Sequence, residues 1–310
     1  MASTMKAARI HAYGGPEVFR YEDAPRPEAG EGEVLVRVAA AGINPVDWKT
    51  WAGRGMTGGD TSRLPLILGW DVSGVVEEVG PGASKFRPGD AVFGMVRFPE
   101  IGSAYAEYVN APETHLALKP QNVSHVEAAG VPLVALTAWQ AFEAGNLRSG
   151  QRVLIQGAAG GVGHVAVQIA KAWGAYVIGT GSAGNLDYIR ELGADEAVEY
   201  DAEIGPVDMV LNAAGTQTLD RSLTLLKSGG SLISISGKPD QDKAQQLGVK
   251  ADSILVHTNE SQMQQIADLM AAGKLRPTIA EVYPLAQAGA AQEALETRSV
   301  RRGKIVLEVG

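Results

Sequence analysis

The sequence predicts an α/β protein: a β-rich unit, a doubly wound parallel sheet, and a short return to β structure at the end. Three observations carry this. Short β-branched runs punctuated by Pro and Gly fill the first part, compact β runs alternating with helix-periodic stretches fill the middle, and an apolar run closes the chain. At 310 residues the chain exceeds one typical core, so two domains, or one with a second inserted in it, are expected.

The first strand is expected from about Lys6, and runs such as Val34-Leu35-Val36-Arg37-Val38 and Val72 to Val79 continue the pattern. Direction reverses at Gly14-Gly15-Pro16, Pro25-Arg26-Pro27, Gly80-Pro81-Gly82 and Arg87-Pro88-Gly89-Asp90, so many short strands and tight turns suggest a barrel-like unit. Near His125 the texture changes. Parallel strands are predicted at Val153 to Gln156, Tyr176 to Thr180, Ala197 to Tyr200, Met209 to Asn212 and Ser231 to Ile235, with a sixth at Ser253 to Val256. Gln262 to Ala272 reads as an amphipathic helix, and Lys304-Ile305-Val306-Leu307 as a last strand able to rejoin the first domain. The expected organisation is therefore residues 1–123 and 259–310 for the β-rich domain and 124–258 for the parallel-sheet domain.

Composition narrows the function. With 45% hydrophobic and 20% charged residues the chain is an ordinary globular protein, and a formal charge of -8 lacks the broad basic face that nucleic acid or an anionic membrane would need. A small-molecule partner is favoured. No apolar run is long enough to cross a bilayer and Met1 to Arg20 lacks the charged start and apolar centre of a signal peptide, so a cytoplasmic location is expected. There is no cysteine, which rules out disulfides and cysteine-rich zinc sites. The five histidines show no metal spacing, His164 reads as a surface helix residue, and no G-x-S-x-G elbow points to a hydrolase.

The strongest local signal is Arg152-Val153-Leu154-Ile155-Gln156-Gly157-Ala158-Ala159-Gly160-Gly161-Val162-Gly163, a buried-type strand running into a glycine turn and then a helix. A dinucleotide diphosphate needs unblocked backbone N–H groups and the positive end of a helix dipole. Gly160, Gly161 and Val162 would offer that surface and Gly163 would let helix pack on strand, while Ala158 stands where the G-x-G-x-x-G pattern has its first glycine. An ordinary strand-to-helix turn could supply the same spacing. At the end of the second strand, Thr180-Gly181-Ser182-Ala183-Gly184-Asn185 lacks the acid that would bind both ribose hydroxyls of NAD. Ser182 and Asn185 can instead donate hydrogen bonds to a 2′-phosphate, so NADPH is expected ahead of NADH.

Several segments resemble the medium-chain dehydrogenase/reductase superfamily, especially its zinc-free quinone oxidoreductase branch. They are Gly42-Ile43-Asn44-Pro45-Val46-Asp47, Leu68-Gly69-Trp70-Asp71-Val72-Ser73-Gly74, Phe86 to Val92, Leu136-Thr137-Ala138-Trp139, the Ala158 to Gly163 turn and Arg302-Gly303-Lys304-Ile305-Val306. The resemblance spans nearly the whole chain and implies a GroES-like catalytic domain split around a central Rossmann domain. In zinc-dependent relatives the first segment carries a Cys-His pair and the second a His-Glu pair. Here Asn44-Pro45 and Trp70-Asp71 stand instead, so no catalytic zinc is expected.

Without a metal, the chemistry implied is hydride delivery from the nicotinamide to a quinone or an α,β-unsaturated carbonyl. For the reacting end the resemblance points to the loop Asn44 to Trp51, with Asn44 donating its amide, Lys49 stabilising an enolate and Trp48 or Trp51 forming an apolar wall. Asn44 before Pro45 equally fits a turn, and Asp47 a helix cap. The resemblance also places Thr137 by the nicotinamide and Tyr200 by the 2′-phosphate. Ala214, Ser236 and Gly237, following parallel strands, are placed to line the cofactor. It further suggests a homodimer paired through Ser253 to Val256. An enoyl-thioester reductase of the same fold, or a cofactor-binding module without turnover, is compatible with the same residues.

Overall fold

In the computed structural model, which describes residues 3–297 and 302–310, the chain forms two units. Unit 1 is Met1–Leu133, His257–Ala272 and Pro277–Gly310; unit 2 is Val134–Val256 and Gly273–Arg276. The expected boundary at 123/124 is therefore corrected to 133/134. The segment between folds with unit 1 because Val126 and Ala129 pack on Ala40 and Val306.

Along the chain, unit 1 begins with β1 (Thr4–Ile10), β2 (Phe19–Pro25), β3 (Glu33–Gly42), the helix α1 (Pro45–Trp51), β4 (Leu66–Ile67) and β5 (Asp71–Val79). It continues through β6 (Ala91–Met95), β7 (Tyr108–Pro112), β8 (Leu116–Leu118) and α2 (His125–Ala129). β1 thus starts ahead of Lys6. The helix α3 (Pro132–Ala144) opens unit 2, followed by β9 (Arg152–Gln156), α4 (Gly161–Ala172), β10 (Tyr176–Gly181), α5 (Leu186–Glu191), β11 (Glu196–Glu199) and β12 (Val207–Asn212). Then come α6 (Leu219–Thr224), β13 (Leu226–Ser234), α7 (Gln241–Gln246) and β14 (Lys250–Ser253). The chain returns to unit 1 with α8 (Glu260–Ala271), β15 (Ile279–Pro284), α9 (Ala288–Glu296) and β16 (Lys304–Glu308).

Unit 2 is a six-stranded sheet in the order β11-β10-β9-β12-β13-β14, parallel at every pairing. Renumbered from its first strand this is 3-2-1-4-5-6, the doubly wound order that leaves a crevice at the carboxyl ends of the two central strands. Leu154, Ile178, Val210 and Leu232 come from four successive strands and form one buried cluster. Each such side chain contributes roughly 1.5–3 kcal/mol relative to exposure. The sixth strand is corrected from 253–256 to Lys250–Ser253, where it pairs with Ser231–Ser234.

Unit 1 contains a small sheet β2-β1-β4 and a seven-stranded sheet β15-β16-β3-β5-β6-β8, with β7 also on β3. Alternating Val34, Val36 and Val38 of β3 join Val72 and Val76 of β5 and Leu307 of β16 in its core. The last strand does rejoin the first domain: β16 is antiparallel to β3, with Val306 opposite Gly42. None of the described helices is long and apolar enough to cross a membrane.

Candidate functional site

In unit 2, β9 runs into the turn as predicted. Gly157 takes φ +74°, Ala158 N–H donates to the Thr180 carbonyl at 2.9 Å, and Gly160 becomes the N-cap of α4. No side chain caps that helix, which runs for 12 residues. The N–H groups of Gly161, Val162 and Gly163, in its first turn, have no acceptor one turn earlier and project from the positive end of the dipole.

The glycines differ in purpose. A Cβ on Gly163 would lie 2.1 Å from the Gly157 carbonyl oxygen, so this position is closed by helix-to-turn packing. On Gly160 it would meet only that same oxygen at 3.4 Å, and Gly160 is exposed, so this position is open to a ligand. An uncapped helix start beside an open glycine fits a dinucleotide diphosphate. Ala158 does not bind directly: its N–H is committed to Thr180 and its side chain is fully buried. It shapes the turn.

Around this turn, Ser182 is exposed and its hydroxyl accepts from Asn185 Nδ2 at 3.2 Å. Tyr200 is 47% exposed just beyond β11. Arg190 binds Asp187 at 2.7 Å and Arg221 binds the Tyr200 carbonyl at 2.7 Å. The parallel register sets exposed Glu199 opposite Gly181, an acid that reading the second strand alone missed. Ala214 N–H is held by Asn212 Oδ1 at 3.2 Å, Ser236 is exposed, and a Cβ on Gly237 would lie 2.5 Å from Thr216 Cγ2. Thr137 is buried within α3. His164, expected at the surface, is fully buried, with Nδ1 3.0 Å from the Gly160 carbonyl oxygen.

In unit 1, the loop Asn44 to Trp51 departs from expectation. Asn44 is the N-cap of α1, and its own N–H donates to Asp47 Oδ2 at 2.6 Å, so Asp47 closes the capping box from the N3 position. The Asn44 side chain is fully buried between Asp71, which accepts from Nδ2 at 2.8 Å, and Lys304, whose Nζ donates to Oδ1 at 2.5 Å. Its amide is therefore directed inward and is not presented to a substrate. Trp51 is 2% exposed, donating from Nε1 to Gln292 Oε1 at 3.3 Å, and belongs to the core, not to a pocket wall. Lys49 is exposed and Trp48 half-buried, with Arg54 5.4 Å above the Trp48 ring. Lys49 Nζ also lies 5.9 Å from the centre of that ring, and these two side chains are the members of the predicted Asn44 to Trp51 set that reach solvent.

Lys304, Asp71, Asp47 and Tyr105 form a buried polar cluster that the sequence did not disclose. Lys304 is 3% exposed, donates to the Ile43 carbonyl at 2.5 Å and lies 4.0 Å from Asp71 Oδ2. Asp71 Oδ1 accepts from Leu133 N–H at 2.8 Å. Burial pushes the Asp47 carboxyl up to about 7 and that of Asp71 up to about 6, against the opposing pull of Lys304 and their hydrogen bonds. Burial likewise lowers Lys304 and raises Tyr105, whose hydroxyl accepts from Gln292 Nε2 at 2.9 Å. A cation heading the apolar run Lys304 to Leu307 was the one available sequence signal.

Known proteins share this plan. Residues 30–121 match the family described as alcohol dehydrogenase GroES-like domain, and residues 192–307 the family described as zinc-binding dehydrogenase. The protein named NAD(P)H oxidoreductase RTN4IP1, mitochondrial, of Danio rerio is 34% identical, over 99% of this chain and 92% of its own. NADPH-dependent alkenal/one oxidoreductase, chloroplastic, of Arabidopsis thaliana is 32% identical, over 98% of this chain and 79% of its own. The solved quinone oxidoreductase of Coxiella burnetii superposes with a TM-score of 0.91 at 35% identity, covering 99% of this chain and all of that one.

A Rossmann unit with an open, uncapped glycine turn and a GroES-like unit thus define an α/β oxidoreductase. The chain belongs to the medium-chain dehydrogenase/reductase superfamily.

Proposed function

We propose that the protein is an NADPH-dependent, zinc-independent oxidoreductase that reduces a quinone or an α,β-unsaturated carbonyl. The observation that carries the zinc-independent part is the Lys304 ammonium, hydrogen-bonded to Asn44 and 4.0 Å from Asp71. In zinc-dependent relatives, by the resemblance above, the segments holding these two residues supply metal ligands. A fixed monovalent cation there repels a second, divalent one, and Asn44 has turned its acceptor oxygen to the lysine. The names of the Arabidopsis and Coxiella relatives support the acceptor class.

When bound, the nicotinamide supplies the hydride. The N–H groups of Gly161, Val162 and Gly163 hold the diphosphate, and Ser182, Asn185 and Tyr200 meet the adenosine phosphate. Thr137, Ala214, Ser236 and Gly237 flank the remainder of the cofactor. Lys49 donates to the substrate oxygen as negative charge gathers there, and Trp48 offers an apolar face. A second cofactor reading has its own support: Glu199 opposite Gly181 is an acceptor for ribose hydroxyls, which favours NADH.

The test is loss of reduced-nicotinamide absorbance with quinones, enones and enoyl thioesters, run with NADPH and NADH and with and without a chelator. Chelator-insensitive turnover of a quinone or enone with NADPH is expected, and Lys49→Ala slows it about tenfold. Turnover confined to enoyl thioesters identifies the thioester reductase. Tight binding without oxidation across the panel identifies a binding module, and a metal requirement refutes zinc independence.

We further propose a homodimer paired through β14, the edge of the unit 2 sheet, beside exposed Leu247 and Leu255. Light scattering should give twice the chain mass; a monomer mass at working concentration rejects the pairing.

A further inference from the structure

We infer that Lys304 is a positioning residue for the reaction, fixing the start of α1 and through it Lys49 and Trp48. The inference rests on the reading above for what Lys49 and Trp48 do, but not for how they are held. It begins with register. Val306 lies opposite Gly42 in the antiparallel β16 and β3 pair, and Gly42 lies opposite Asp71 in the β3 and β5 pair. Two residues on from Gly42 and two back from Val306, Asn44 and Lys304 come side by side, with Asp71 on the next strand. Gly303, at φ +63° with a Cβ position 2.1 Å from the Thr278 carbonyl oxygen, makes the turn that starts this register.

The ammonium then engages the Ile43 carbonyl, which precedes the helix cap, and the side chain of that cap, Asn44. Asn44 N–H in turn holds Asp47 inside the first turn of α1. Two oxygens at the head of the helix that carries Trp48 and Lys49, the Ile43 carbonyl and Asn44 Oδ1, are thus held by one buried cation. A stability role alone explains this poorly, because a well-packed apolar pair in place of a buried ion pair is commonly neutral or stabilising. A lysine that contributes nothing to net stability but fixes the loop accounts for the arrangement.

The experiment compares Lys304→Met with the double variant Lys304→Met/Asp71→Asn in the full-length protein. The single variant strands the buried Asp71 carboxylate and should lower Tm by roughly 5–10 °C; the double variant removes that carboxylate too and leaves only Asp47, whose carboxyl burial already drives towards its neutral form, so it should recover most of that. Despite this recovery, the double variant should turn over at least about tenfold more slowly, with its NADPH Kd within about twofold of wild type. Hydrogen exchange at the amides of residues 46–51 should be at least about tenfold faster in it. A double variant with recovered Tm, wild-type kcat and wild-type exchange overturns the inference. If the wild type reduces nothing on the panel, the functional reading fails by itself, and the exchange rates still decide whether Lys304 positions α1.

Discussion

Replacing Gly160 with aspartate is expected to weaken NADPH binding by at least about 100-fold while leaving Tm unchanged or slightly higher. Gly160 is exposed and already has the extended backbone of an N-cap, φ -78° and ψ -177°, so an aspartate enters without strain. Its carboxylate would cap the first-turn N–H groups of α4, a change worth a few tenths to about 1 kcal/mol of stability over glycine. Those are the N–H groups assigned to the diphosphate in the proposed function. Losing two charge-assisted hydrogen bonds of about 1.5–3 kcal/mol each gives the affinity loss, since each 1.4 kcal/mol is about tenfold. Gly163→Val should behave differently: with its Cβ 2.1 Å from the Gly157 carbonyl oxygen, it forces the helix off the turn and costs about 1–3 kcal/mol of folding stability as well as binding. Fluorescence titration with NADPH, beside thermal unfolding, separates the two. Wild-type affinity in Gly160→Asp would remove the turn from the binding site.

Asp47→Asn should make the protein more stable at pH 8, by on the order of 2 kcal/mol, and change little near pH 4. The sign follows from burial. The Asp47 carboxyl is pushed up from 3.8 to about 7, so between those values the folded state keeps a proton that the unfolded chain releases. Stability from this group is full below about pH 4 and is lost as pH rises through about 7. Asp71, pushed up to about 6, adds a parallel decline over a narrower window. Lys304 acts oppositely: its pKa is lowered, so its cost of burial fades as pH rises towards the ordinary lysine value of 10.5. The asparagine keeps an oxygen for the Asn44 N–H and carries no charge to bury. Denaturant unfolding at pH 4, 6 and 8 checks this, and equal destabilisation at all three would contradict it.

The two predictions draw on parts of the molecule that differ in how openly the sequence displays them. The Gly157 to Gly163 turn is local, since strand, turn and helix lie within about twenty consecutive residues and each glycine has a short-range reason to be there. The strands β9, β10, β12 and β13 are visible for a similar reason, because each contains a short buried apolar stretch, such as Val153-Leu154-Ile155 or Met209-Val210-Leu211. β14 was misplaced by a few residues because the exposed alternate residues Lys250 and Asp252 hide a strand at the sheet edge. His164 looked like a surface residue because no helical periodicity reveals that its whole side chain is covered. The unit 1 cluster was the least visible. Asn44, Asp71 and Lys304 are brought together by two sheet registers across separations of 27 and 260 residues, and no local pattern records a register. That is why Asn44 was expected to face substrate and instead faces inward.

The place of β16 in the sheet has a consequence for how the polypeptide is made. It lies between β15 and β3, an interior strand supplied by the last stretch of the chain. During synthesis, β3 must wait for a neighbour that leaves the ribosome after every other described strand, whereas the parallel sheet of unit 2 has all its strands earlier. A nascent GroES-like half therefore spends most of translation with an open seam. Even a brief delay or a nick near the carboxyl end leaves that seam unzipped, and the lysine that would close it absent.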